Sequence, residues 1–209
     1  MANTTSRPSP PRGRTSGGRR KELLEIAARV FAQKGIAAAT VRDIAQEAGI
    51  LSGSLYHHFA SKEEMVAEII ADGPARIYGD RDTVLALAAE DAAKTMRACI
   101  LDAVTWVAHN PDIARILRND AQYVKETPAL ADAEANRQAN RLLWIGVVEH
   151  GITNRQFRPD LDADVAVRAM WDGVLAAIRW FPPLGHEDPS VIASKLADLY
   201  LGGMSIGGS

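Results

Sequence analysis

Between Thr40 and Lys62 the chain collects side chains suited to gripping a polyanion. Thr40, Arg42, Tyr56 and Lys62 carry hydroxyl or cationic groups that donate hydrogen bonds to phosphate oxygens. Lys62 also opens a helix, whose N-terminal amides favour anions. Ser52, Gly53, Ser54 and His57 are small or polar enough to lie against base edges. Toward the N-terminus, Arg19 and Arg20 continue the positive character, together with Arg12, Arg14 and Lys21. These are candidates to track a nucleic-acid backbone or to enter a minor groove. Ordinary helix packing explains inward-facing Leu55 and Phe59. It does not explain Ser, Tyr and His gathered beside a basic arm.

Other chemistries find little support. His57 and His58 are adjacent, and neighbours on a helix point about 100° apart, so one ion is poorly served. No Gly-rich phosphate loop, His-Glu-x-x-His or Gly-x-Ser-x-Gly occurs. His109, His150 and His186 fall near helix ends or loops, where they suit the C-terminal carbonyls. The lone Cys99 forms no internal disulfide and no cysteine cluster. No catalytic set, metal or cofactor is expected.

The elements that position these residues read as helices throughout. Ala is abundant, aromatic residues are 6%, and no segment sustains period-two alternation. Thr40-Val41-Arg42-Asp43 and Ser61-Lys62-Glu63-Glu64 fit capping boxes. Asn110-Pro111, Thr127-Pro128 and Asp188-Pro189 place a capping residue before a first-turn proline. Asp160 and Asp162 are candidate caps before Val165. Gly35, Gly49, Gly151 and Gly202 follow apolar-periodic segments and read as stops. The expectation is an all-α chain of about nine helices. They lie at 19–34, 41–48, 52–59 and from 62, then near 89–109, 111–125, 128–150, 163–181 and 189–201. Helices two and three form a helix-turn-helix: Ala45 allows close crossing, Gly49 allows positive φ, and Ile50 fills the gap between them. Gly73-Pro74 should kink or break the fourth helix.

The net charge of −2 over 209 residues conceals a split. Residues 1–62 hold ten Lys/Arg and four Asp/Glu, whereas the remainder holds fourteen and twenty-two. A basic end on an acidic body suits contact with a polyanion. No apolar run reaches the length of a membrane span, and no signal-peptide pattern is present, which points to the cytoplasm without membrane contact. The expected divisions are a disordered basic arm at 1–18, a three-helix domain at 19–66 that carries the helix-turn-helix, a larger helical domain at 67–203, to which the resemblance given below assigns ligand binding and dimerisation, and a flexible tail at 204–209.

The second domain holds all four tryptophans, Trp106, Trp144, Trp171 and Trp180. Each alone suits core packing, and together they suit the lining of an apolar cavity. Arg179 interrupts the apolar stretch 174–181 and needs an anionic partner. Asp172, another helix's carboxylate, or a ligand's carboxylate or phosphate would serve. Ala169, Gly173 and Ala177 recur every four residues, a face for close helix approach. Ile192, Leu196 and Leu199, with Val191 and Tyr200, form an apolar stripe on the last helix. These two faces suit packing within the subunit or, as the favoured expectation where a two-fold operator is bound, a homodimer interface paired about a two-fold axis.

Residues 19–70 resemble the DNA-binding domain of TetR-family transcriptional regulators. The likeness rests on the Phe31–Gly35 helix end, Thr40-Val41-Arg42-Asp43-Ile44-Ala45, Ala48-Gly49, Gly53-Ser54-Leu55-Tyr56-His57-His58-Phe59 and Ser61-Lys62-Glu63. It implies a dimer, a palindromic double-stranded operator and ligand-controlled release. The family usually carries a capping Ser where Leu51 stands. Either Ser52 caps a late-starting helix, or the cap is lost and Ser52 faces DNA. A narrower likeness is to the actinobacterial repressors of steroid-ring catabolism in that family. It rests on residues 49–59, on Phe157-Arg158-Pro159-Asp160-Leu161-Asp162 and on Arg179-Trp180-Phe181. That likeness implies a repressor whose effector is an acyl-CoA thioester, with Arg179 on its phosphate or carbonyl groups. Trp171 and Leu175 stand where that group carries further Arg and Trp residues. An activator, a constitutive binder with a vestigial pocket, and a helical acyl-binding protein or enzyme are the alternatives.

Overall fold

The computed structural model describes residues 16–71, 80–179 and 188–206. Arg12, Arg14, Gly73-Pro74, Trp180 and His186 lie outside them. The described chain is all-α, with ten α-helices. Its β pairing is a single antiparallel bridge, Phe157 to Ser205.

Four helices build the N-terminal part: α1 (Ser16–Lys34), α2 (Val41–Glu47), α3 (Ser52–Leu55) and α4 (Lys62–Ala71). Leu23, Ala27 and Phe31 of α1 pack on Ile44, Leu55, Phe59 and Met65 in one buried cluster. That cluster continues into the second part through Ile116, Val124, Leu130 and Ala133. The two parts therefore share a hydrophobic core at their junction. Gly35, at φ +80°, ends α1 as a left-handed residue should.

The larger part holds α5 (Arg81–His109), α6 (Pro111–Asn119), α7 (Ala121–Glu126), α8 (Ala131–Thr153), α9 (Ala163–Ala176) and α10 (Pro189–Met204). Its core joins Met96, Ile100 and Val104 of α5 to Trp144, Val148, Met170, Val174 and Leu196. α5 is broken at Asp91 (φ −149°, ψ 92°). Both broken ends are covered by the turn after α8. Gln156 Oε1 accepts from the Ala92 and Ala93 amides at 2.8 and 3.2 Å. Asn154 Nδ2 donates to the Ala89 carbonyl at 2.8 Å. The expected start near residue 89 is thus the start of the second half of a longer helix.

Several expected boundaries move for identifiable reasons. The single helix expected at 111–125 is two, separated at Asp120 (φ −110°, ψ 15°). Asn110 and Thr127 do not cap forward. Their side chains turn back to the Trp106 and Tyr123 carbonyls at 2.9 and 2.7 Å. α8 follows a 3₁₀ turn at Pro128–Leu130. Gly151 and Gly202 are not stops and lie inside α8 and α10. Asp162 and Asp188 do cap, accepting from Val165 N and Ser190 N, each at 2.9 Å. The tail begins tied down, because the Arg158 amide donates to the Met204 carbonyl at 2.8 Å.

Candidate nucleic-acid interface and ligand cavity

α2 begins with a complete capping box. The Asp43 amide donates to Thr40 Oγ1 at 3.2 Å, and the Thr40 amide donates to Asp43 Oδ2 at 2.9 Å. Lys34 Nζ adds a 2.6 Å contact to Asp43. Lys34 first, then Thr40, holds that carboxyl well below the usual carboxylate range. Gly49 supplies φ +65° in the turn, and the Ile50 amide closes onto the Ala45 carbonyl at 3.0 Å. α3 follows at once, its N-cap Leu51 extended (φ −73°, ψ 143°) and making no side-chain cap bond. Ser52 is therefore the first helical residue and not the cap. The helical hydrogen bonds end at Leu55, and a turn carries the chain to Phe59. Leu55 and Phe59 are buried, whereas Leu51, Gly53, Tyr56 and His57 face outward. Ser52 and Ser54 are half-buried beside them, and Thr40 and Arg42 are exposed on α2.

Three expected contacts with a polyanion are engaged inside the fold, the first being Thr40, whose hydroxyl donates to Asp43 Oδ2 at 2.7 Å. The Arg20 guanidinium lies 4.1 Å over the Phe59 ring. It also bonds Glu64 at 2.9 Å, Glu68 and the His58 carbonyl. Arg20 thus braces the end of α3 against α4. Lys62 Nζ donates to the Ile36 and Ala39 carbonyls at 2.7 and 3.2 Å and lies 5.6 Å from the Tyr123 ring centre. Arg19 pairs with Glu22 at 2.8 Å along its own helix, and Lys21 is exposed.

The joint between α6 and α7 touches the helix-turn-helix directly. Asp120 Oδ1 accepts from the buried Ile36 amide at 2.9 Å. The Tyr123 hydroxyl donates to Glu63 Oε1 at 3.3 Å. Burial first, and then Glu63, raises the Tyr123 hydroxyl above the ordinary tyrosine value. On the other side of this joint lies a cavity of about 750 Å³. Ile70 and Ala71 of α4 line it with Leu117, Arg118, Ala121 and Lys125 of the joint. α8 contributes Arg137, Asn140 and Arg141, and α9 contributes Arg168, Trp171, Asp172 and Leu175.

Trp171 and Leu175 line this cavity. Trp144 is fully buried behind them, its ring 5.0 Å from that of Trp171. Trp106 is half-buried against the core and does not line the cavity. Arg179 is exposed at the end of the 3₁₀ turn Ala177–Arg179, also outside the cavity wall. The expectation of a buried Arg179 fails because α9 ends before it. Arg137, Arg141 and Arg168 supply the cavity's positive charge instead. Glu134 holds Arg137 at 2.7 Å, and Asp164 pairs with both Arg141 and Arg168. Arg141 Nε is buried and meets no acceptor. Arg137, Asn140, Arg141 and Trp144 recur three to four residues apart, and that polar stripe on an otherwise buried face was the available signal. Among the described residues no group of three or more His, Cys, Asp or Glu could hold a metal ion. No described helix is long and apolar enough to cross a membrane.

The expected dimer face divides. Ala177, Ile192 and Leu196 are buried within the protomer. Gly173 is covered by Tyr200 of the same chain, whose hydroxyl would sit 1.8 Å from an added Cβ and donates to the Ala169 carbonyl at 3.1 Å. Ala169 and Leu199 are exposed, as are Val165 and Val191.

An exposed short helix behind a glycine turn, joined through a shared core to a larger helical body with a cavity, is the architecture of a two-domain DNA-binding regulator. The model of the bacterial regulatory proteins, tetR family, matches residues 23–69, and that of the tetracyclin repressor-like C-terminal domain matches residues 89–204. The chain belongs to the TetR family, which is one of regulators and not of enzymes. It is 36% identical over 198 residues to the HTH-type transcriptional repressor KstR2 of Rhodococcus jostii, covering 94% of this chain and 97% of that one. The structure of the ketosteroid transcriptional regulator KstR2 of Mycobacterium tuberculosis superposes with a TM-score of 0.76 at 33% identity, over 92% of this chain and 97% of that one. AibR, in complex with isovaleryl coenzyme A and operator DNA, shares the fold at 20% identity and a TM-score of 0.69, over 87% and 97% of the two chains.

Proposed function

We propose that this chain is a homodimeric repressor that occupies a palindromic operator and leaves it when a hydrophobic or acyl-CoA-type effector enters the cavity. The observation that carries this reading is the Asp120 joint, which walls the cavity and holds the Ile36 amide of the helix-turn-helix. Two α3 helices about 34–36 Å apart would enter successive major grooves. Ser52, Gly53, Ser54 and His57 lie against the bases, and Arg42, Tyr56 and Arg19 contact phosphates, while Thr40, both of whose donors are held by Asp43, fixes the start of α2. Arg20 and Lys62 support that face from beneath.

Inside the cavity Trp171, Leu175, Leu117 and Ile70 receive the apolar part of the effector. Arg137, Arg141 and Arg168, with Arg118 and Lys125, attract its carboxylate, carbonyl or phosphate oxygens. The names of the KstR2 relatives and the thioester held by AibR favour this class of ligand. An effector pushing on α4 and on the α6–α7 joint moves both attachments of the helix-turn-helix together. The spacing of the two α3 helices changes and operator affinity falls. The test is competition: DNA beside the protein's own gene is bound, then challenged with acyl-CoA thioesters and free acids. Release by at least one thioester class supports the reading. Binding that no compound of either class weakens points to a constitutive binder.

Two consequences can be measured directly. Lys62→Ala should lower stability by about 2 kcal/mol, since it removes a charged donor from two carbonyls. The salt slope of DNA binding should stay unchanged. A slope reduced by about one unit would instead put Lys62 on a phosphate. Leu199→Asp should weaken the dimer by about 2 kcal/mol or more, if Leu199 is a central contact. Light scattering across a dilution series reads this, and an unchanged dimer would move the interface elsewhere.

A further inference from the structure

Residues 48–61, which span the turn, α3 and the approach to α4, contain no Lys, Arg, Asp, Glu, Asn or Gln. The side chains that read guanine or adenine by paired hydrogen bonds are therefore missing from the element that faces the groove. Among the cations around it, Arg20 bonds Glu64, Glu68 and a carbonyl, Lys62 bonds two carbonyls, and the exposed Arg42 belongs to α2 and not to this element. What α3 offers outward is apolar at its first position. Leu51 is 81% exposed, the highest value of any large apolar side chain among the described residues. It occupies the N-cap, where Ser, Thr, Asp or Asn would stabilise the helix and where its own side chain makes no cap bond. Packing does not demand it, since Leu51 lies outside the buried cluster against which its neighbour Ile50 packs. Two residues on, Gly53 has open space where a Cβ would stand, so nothing on that face holds the backbone away from a surface.

Residues at the N-terminal end of a groove-entering helix meet base edges. The apolar feature of the major groove is the thymine 5-methyl group. We infer that Leu51 is a specificity-determining residue, which selects its operator by seating on a thymine methyl in each half-site. The inference rests on the DNA-docking reading above and adds to it what the element reads. Shape and the Ser, Tyr and His contacts orient α3. Leu51 contributes discrimination at one base pair.

The experiment first selects duplexes from a random pool with the wild-type protein. Each thymine of one half-site is then replaced in turn by deoxyuridine, which removes the methyl group and keeps the base pair. At one position the replacement should weaken wild-type binding about tenfold, the scale of a single lost base contact. Leu51→Ala should bind the thymine and uracil duplexes equally, and Leu51→Met, which keeps an apolar reach, should retain part of the difference. The exposed site makes both variants fold as the wild type, which circular dichroism melting checks. Leu51→Ala showing the full wild-type penalty overturns the inference, as does a wild type indifferent to every uracil. If no duplex is enriched at all, the docking reading falls and this one falls with it.

Discussion

Phe157→Ala should lower the stability of the regulatory body by about 3–5 kcal/mol, the usual loss for a fully buried phenylalanine. The ring has no exposure and covers Gly151 so closely that a Cβ there would lie 2.1 Å from ring carbon Cδ2. The Phe157 amide donates to the Gly151 carbonyl at 3.0 Å, so ring and backbone hold one turn together. That turn also carries Gln156 and Asn154, which cover the two ends of the break in α5. Removing the ring leaves a cavity at the point where α5, α8 and the end of α10 meet. Gly151→Ala attacks the same contact from the other side, and overpacking there should cost about 1–3 kcal/mol. Urea denaturation with an unchanged slope measures both. A loss below about 1 kcal/mol for Phe157→Ala would mean the ring is not the keystone of this turn.

Asp120→Ala should separate ligand binding from DNA release. The Ile36 amide is buried, and without the carboxylate it has no acceptor, at a cost of about 1–3 kcal/mol. Couplings between sites are commonly worth 5–150-fold in affinity, roughly 1–3 kcal/mol, so loss of this one bond is large enough to abolish most of such an effect. A thioester that releases the wild-type protein should therefore still bind the variant yet leave its operator affinity nearly unchanged. Asp120→Asn, which keeps a neutral oxygen acceptor, should fall between the two. Full release of Asp120→Ala by the same thioester would assign the coupling to α4 alone.

Much of this architecture is legible in the sequence, where local signals decide it. The Thr40 box, the glycine turns at Gly35 and Gly49, and inward Leu55 and Phe59 all follow from residue type and spacing. What is not legible depends on distant partners. The helix expected at 111–125 splits at Asp120, a residue bound to an amide 84 positions away. Asn110 and Thr127 have the chemistry of caps, but each finds a carbonyl four residues back. Lys62 and Arg20 have the charge of DNA contacts, and only their neighbours in space reveal that carbonyls and glutamates already engage them. Tryptophan content points to Trp171 in the cavity wall but not to the arginines of α8. Arg179 stands out because it interrupts an apolar run, whereas Arg137 and Arg141 lie in the polar first half of α8, where only their helical spacing to Asn140 and Trp144 marks them.

The central claim is that α3 docks sequence-specifically on duplex DNA as one half of a symmetric pair. Anisotropy titration of a fluorescent duplex from beside the protein's own gene, against a scrambled duplex at matched salt, tests it most directly. Saturation is expected at two protomers per site, with a preference over the scrambled duplex of at least about a thousandfold, the lower end for specific DNA binding. His57→Ala should reduce that preference, whereas Tyr56→Ala should weaken binding to both duplexes alike. Equal affinity for the two duplexes, or no binding at low salt, would contradict it.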